Sequence, residues 1–160
     1  SFLIRNQVEV IHGDYNFDRW FAQFRSNPSA TLSGKLRYET GDFWDGTSEG
    51  ISLGLTLSPH YKFSTSVEMK RDNIMLKYGK LNTRLLNARV EYRFNTKMFL
   101  SALIQYNSDQ QQINTHLRFN LIHRPLSDIY LVYDQGFDAV SGLDERTRAV
   151  LVKVSYLFGL

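Results

Sequence analysis

Four histidines and a scatter of carboxylates are the residues of this chain that could do acid–base, nucleophile-activating or metal chemistry. His12, His60, His116 and His123 show no metal-ligand spacing within any one stretch. Acyl transfer or proteolysis would need a nucleophile or a carboxylate dyad within reach of a histidine. Asp134 and Asp138 supply carboxylates, but no histidine is expected beside them, with His12 a partial exception. His116 alternates with Asn114 and Arg118 and reads as a hydrogen-bonded member of a polar face. The expectation is no enzyme, no metal and no cofactor. The most site-like stretch is Gly41-Asp42-Phe43-Trp44-Asp45-Gly46. Aromatic faces beside carboxylates can bind sugars, and carboxylates can bind calcium, so Asp42, Phe43, Trp44 and Asp45 are candidate external ligand contacts. Gly and Asp also make turns, and aromatic rings anchor at lipid interfaces; that structural reading is the favoured one.

The elements that must carry these residues are strands. Ten segments alternate with period two and almost none shows helical spacing. They lie near 2–12, 17–26, 30–41, 48–58, 60–70, 82–94, 98–107, 112–123, 129–136 and 146–158. In the sixth, Leu86, Ala88, Val90, Tyr92 and Phe94 oppose Leu85, Asn87, Arg89, Glu91 and Arg93. The eighth sets Leu117 and Phe119 against His116 and Arg118, and the fifth sets Val67 against Glu68. In the last, Val150, Val152, Val154, Tyr156 and Phe158 lie opposite Lys153 and Ser155. Connections are expected to alternate between tight ones (26–29, 58–59, 95–97, 124–128) and longer ones (41–47, 71–81, 108–111, 137–145). Short turns at one end, long loops at the other and an even strand number are the layout of an outer-membrane barrel, with both termini at the periplasmic, tight-turn end. Ten residues at ~3.3 Å rise, tilted by about 45°, project onto roughly 23 Å, close to the apolar band of such barrels.

Composition permits this. The 160 residues are enough for one domain, a single barrel or sandwich, with 42% apolar and 22% charged residues. No run approaches the length of a transmembrane helix, yet a spanning strand shows lipid only every second residue, so a mean hydropathy of -0.33 is compatible. Cysteine is absent, which removes disulfides and thiolate metal sites. A net charge of +3, scattered along the chain, gives no case for nucleic acid. The start at Ser1, with no basic and apolar leader, reads as a mature chain or a fragment.

Alternation alone leaves open whether the apolar face meets lipid or a core, since a soluble lipocalin-like barrel gives the same pattern with faces exchanged. Aromatic placement favours lipid. Tyr61, Phe94, Tyr156 and Phe158 fall near the tight-turn end, and Tyr38, Tyr106 and Tyr133 near the other, as two interfacial belts would. The expected lipid-facing residues are Val67, Leu86, Val90, Tyr92, Leu117, Phe119, Val152, Val154, Tyr156 and Phe158. On the other face Lys35, Arg37 and Glu39, then Arg89, Glu91 and Arg93, run in rows of mixed sign, joined by Glu68, Arg118 and Lys153. In a ten-stranded barrel these would interlock and fill the interior, leaving no wide pore. A passive channel would need the strands to belong to a larger barrel.

Several short stretches also carry a family resemblance: Ser26-Asn27-Pro28, then Gly41 through Gly46, then Gln105-Tyr106-Asn107-Ser108. Asn114 with Leu117-Arg118 follows, then Arg124-Pro125-Leu126-Ser127-Asp128 running into Leu131-Val132-Tyr133, and finally Lys153 with Tyr156-Leu157-Phe158. In this order, over about the last 135 residues, they resemble the C-terminal barrel region of a family of Gram-negative outer-membrane proteins of undefined function. That family carries an N-terminal domain similar to carbohydrate-binding module family 9. The resemblance implies an outer-membrane location, lipid and barrel-assembly-machinery partners through the last strand, and an involvement with glycans. The chain departs from the pattern at Leu126, where Gly is expected, and around Gly79, where Lys77-Tyr78 and Lys80-Leu81 replace Leu-Pro and Phe. It lacks the carbohydrate-binding domain, and the family's barrel region is longer, so it reads as a C-terminal piece or a shortened barrel.

Overall fold

A computed structural model describes residues 2–4, 8–10, 14–139 and 143–157, the first two stretches as backbone alone. Nine strands form one antiparallel sheet in chain order: β3 (Arg19–Arg25), β4 (Leu32–Phe43), β5 (Gly46–His60), β6 (Phe63–Leu76), β7 (Gly79–Arg93), β8 (Met98–Asn107), β9 (Gln112–Arg124), β10 (Ser127–Asp138) and β11 (Asp144–Ser155). Every neighbour in the sheet is a neighbour in the chain, so the topology is up-and-down throughout. The described residues include no helix. The period-two pattern therefore translates directly into strands.

The tenth expected strand is not in the sheet. Residues 2–12 supply β1 (Phe2–Ile4) and β2 (Val8–Val10), which pair with each other as Phe2↔Val10, Leu3↔Glu9 and Ile4↔Val8. In sequence, Arg5, Asn6 and Gln7 divide the apolar residues of this segment into two short runs. The sheet consequently ends on β3 and β11, which no ladder joins among the described residues. It is unclosed, and its count is odd. Its first strand starts at one end and its last finishes at the other, so the expected placement of both termini at one end does not follow from the sheet.

The expected alternation of short and long connections also gives way. Trp44-Asp45 and Lys77-Tyr78 are two-residue turns at the end where long loops were anticipated, and Tyr61-Lys62 and Pro125-Leu126 are two-residue turns at the other. The stretches 41–47 and 71–81 look like loops in sequence because the alternation of apolar and polar residues breaks down there, at Phe43-Trp44 and at Ile74-Met75-Leu76. Backbone pairing nonetheless continues through them, from Thr40↔Glu49 to Phe43↔Gly46 and from Arg71↔Arg84 to Leu76↔Gly79. Periodicity registers the contrast between two environments, whereas hydrogen bonding needs only an extended backbone. Asn does hold three of the longer turns. The side chains of Asn27, Asn95 and Asn107 accept from the backbone N–H groups of Ser29, Lys97 and Asp109 at 2.8–2.9 Å.

Strand register is staggered. Leu32, the first residue of β4, opens a row that runs through Leu57, Thr65, Val90, Ala102 and Leu117 to Tyr133 and Val150. Leu117 and Val150 are mid-strand. Rows that climb along successive strands in this way are what tilted strands in a barrel wall require.

Candidate functional site

The chemistry of this molecule is divided between two faces. One face carries Phe24, Leu36, Leu53, Met69, Leu86, Tyr106 and Ile113 in a single row. Below it run the Val67 row, with Leu55, Ala88 and Ile104, and then rows containing Val90 and Leu117, and Tyr92, Phe119 and Val152. Val154 shares this face with Ile129 and Leu121. Tyr156, just past β11, is exposed, and Phe158 lies outside the described residues. Most of these large apolar side chains are solvent-accessible, up to 76% at Trp20 on the β3 edge. The apolar band stops where Arg71 and Arg84 join the Tyr38–Ile51 row; beyond it come Glu49, Asn73 and Asn82.

The buried side chains are on the opposite, polar face. Thr83 and Asn120 are buried there, and so is Leu81, in a small cluster with Leu76. This inverts the arrangement of a water-soluble sheet, in which the apolar face is the covered one. The polar face is laced by ion pairs. Lys35 Nζ meets Glu68 at 2.7 Å, Arg37 meets Glu39 at 3.1 Å, and Lys70 meets Asp72 at 3.0 Å. Lys35 reaches Glu68 by lying over Gly54, where a Cβ would come within 2.5 Å of the lysine Cε and 2.8 Å of its Cγ. Glycine at that position is what lets the bridge cross a strand. All nine expected polar-face charges, Lys35, Arg37, Glu39, Glu68, Arg89, Glu91, Arg93, Arg118 and Lys153, stand on this face. Asn87 and Gln105 extend the network with a hydrogen bond of 3.2 Å.

Two arrangements were not foreseen from sequence. His116 Nδ1 lies 2.6 Å from Asp134 Oδ1, so the carboxylate expected to stand without a histidine has one on the adjacent strand. Leu103 and Ala149 flank the pair in its row. Only register could have revealed it, since the two residues are eighteen apart in the chain. Asp72, assigned to a loop, sits on β6 and pairs with Lys70.

The stretch 42–45 is a tight hairpin tip rather than a loop. Trp44 takes a positive φ of 52°. Its ring packs edge-on against Tyr15 (5.6 Å), Phe17 (5.7 Å) and Phe43 (6.5 Å), over Leu76 and Leu81. Asp42 accepts from the Asp18 N–H at 3.1 Å, tying the chain before β3 to this tip. The Asp45 carboxylate oxygens are covered and form no hydrogen bond among the described residues. Phe43 and Trp44 thus pack against the protein's own aromatic rings.

No protein-family model, curated protein or solved structure matches the chain. The functional reading accordingly comes from the two faces themselves.

Proposed function

We propose that this chain is the wall of a transmembrane β-barrel of the Gram-negative outer membrane, serving as an anchor or scaffold. The observation that carries the reading is the inversion of the sheet: a nine-strand-wide apolar face left accessible, and a polar face that holds the ion pairs and the buried side chains. In water such a face is an aggregation hazard, and in lipid it is the expected exterior. The band's height agrees. From Leu86 on β7 to Phe94, just past its end, the apolar-face residues span nine positions, the length a tilted strand needs to cross the hydrocarbon layer. Staggered rows supply the tilt, and the hairpin tips at Trp44 and Tyr78 extend past the band as external structure. Lipids are the first partner under this reading, and the assembly machinery, engaging β11, is the second. Following the family resemblance, the biological role would rest with the external hairpins or with a glycan-binding-like domain joined to this wall.

Refolding tests the proposal. From urea, the chain should acquire β-sheet circular dichroism and heat-modifiable gel mobility only when detergent micelles or vesicles are supplied. A chain that stays folded and monomeric in plain buffer overturns it and favours a soluble barrel. The free edges on β3 and β11 favour one variant of the proposal, in which more strands complete a wider, conducting barrel. Steady open currents in planar bilayers would identify that variant, and silence would identify a filled interior.

A further inference from the structure

Three cations of the polar face each have a carboxylate. Lys35 has Glu68, Arg37 has Glu39, and Lys70 has Asp72. Around β7 to β9 the balance fails. Glu91 serves two guanidinium groups, Arg93 at 3.0 Å and Arg89 at 3.7 Å. Arg118, on β9, forms no ion pair among the described residues; its guanidinium stacks at 4.5 Å over the Tyr130 ring. This stretch of the face thus sets three guanidinium groups beside one carboxylate. Asp128 and Lys153, further round on β10 and β11, are of opposite sign and form no ion pair among the described residues.

These groups line a cleft. Arg118 and Glu91 stand on either side of Ser101 in one row, and the small serine leaves the space between them open. Arg89, Arg93, Phe99 and Leu100 complete the lining of a cleft of about 320 Å³. That volume is at the lower end of small-ligand sites. Phe99 opposes Arg93 and is a half-buried aromatic among these charged residues. An oxyanion placed over Ser101 would gain charge-assisted and bidentate hydrogen bonds from guanidinium groups, and the hydroxyl could donate from below. A carbon skeleton attached to that anion would have the Phe99 ring as its wall.

We infer that this cleft binds a small soluble molecule bearing a phosphate group. The ligand is soluble because the cleft opens on the polar face, away from the apolar band. A phosphate suits it because a lining of three guanidinium groups and one carboxylate carries net positive charge, which favours a dianion over a singly charged carboxylate. The cleft belongs to the polar face whatever covers the apolar one. Failure to bind phosphate would leave the lipid proposal standing, and failure to fold in detergent would leave this inference testable in buffer.

The test is calorimetric titration of the folded full chain with inorganic phosphate, glucose 6-phosphate and glucose. Saturable, salt-sensitive binding of both phosphates is expected, with the sugar phosphate tighter and glucose silent. Arg118→Gln should weaken phosphate binding about tenfold or more. Arg37→Gln, which removes a matched cation from the same face, should leave it within about twofold, as expected for a distant independent site. Glu91→Gln should tighten binding, because it releases Arg89 and Arg93 from their competitor; a purely structural role for Glu91 predicts no gain. Circular dichroism confirms that each variant is folded before it is scored. Non-saturable binding, equal losses in Arg118→Gln and Arg37→Gln, or weaker binding in Glu91→Gln overturns the inference. Tighter binding of a short-chain phosphatidic acid than of glucose 6-phosphate overturns the assignment to a soluble ligand.

Discussion

Replacing Val90 by Arg puts a charge at the centre of the apolar band. Val90 stands four residues from Leu86 and four from Phe94, the apolar-face residues that bound the band on β7 and just past its end. At ~3.3 Å per residue and a tilt of about 45°, either boundary is roughly 9 Å away along the membrane normal. Its row neighbours, Thr65 and Ala102, are small and uncharged. The adjoining rows, through Ala88 and through Tyr92, contain no carboxylate that could pair with a guanidinium. The substitution should therefore cost about 2–4 kcal/mol in a bilayer, the price of a midplane Arg on the outside of a barrel. Leu86→Arg provides the gradient. It lies one outward position from the native Arg84, at the edge of the band, and should cost about 0–1 kcal/mol. Urea titration of protein folded into phosphocholine vesicles, followed by Trp20 and Trp44 fluorescence, measures both. In water the same Val90, 43% exposed, would tolerate Arg within about 0.5 kcal/mol. Equal costs at the two positions, or a Val90→Arg change within about 0.5 kcal/mol in vesicles, would refute a lipid-facing band.

Two further substitutions probe the backbone and the polar face. Leu126 occupies the Pro125-Leu126 turn with φ of 61° and its side chain is 77% exposed, so Leu126→Gly should raise stability by about 1 kcal/mol, read as a higher urea midpoint. Gly54→Ala pushes Lys35 off its path to Glu68 and should destabilise by about 1–3 kcal/mol. Gly34→Ala, whose new Cβ meets Leu55 Cδ2 at an ordinary 3.4 Å, should be neutral or stabilising in the same titration.

The faces of the sheet were legible wherever residues of like character recur at every second position. Every one of Lys35, Arg37, Glu39, Arg89, Glu91 and Arg93 could be assigned a side from spacing alone, and Val67 or Leu117 likewise. Register was not legible, since period two is indifferent to how far one strand slides past the next in steps of two. That is why the His116–Asp134 contact and the three-to-one charge imbalance around Glu91 emerge only from the pairing. Strand ends were misjudged for a different reason. Glu49, Asn73 and Asn82 are paired in the ladder although no apolar side chain announces it. The segment 2–12 shows the converse, an alternating pattern whose two halves pair with each other instead of joining the sheet. Leu126 was visible in the sequence as a residue following Pro125 in a turn, and its positive φ marks a position that favours glycine.

Nine strands in up-and-down order leave β3 and β11 running in the same direction. Joined directly, they would make a parallel seam in an otherwise antiparallel wall. Any all-antiparallel ring built on this sheet must add an odd number of strands between those edges. A hairpin such as β1–β2, inserted whole, adds two and leaves the seam parallel, as does a second copy of the sheet in the same membrane orientation, which contributes nine but presents β3 to β11 twice. One strand running against both edges is the smallest addition that closes the ring.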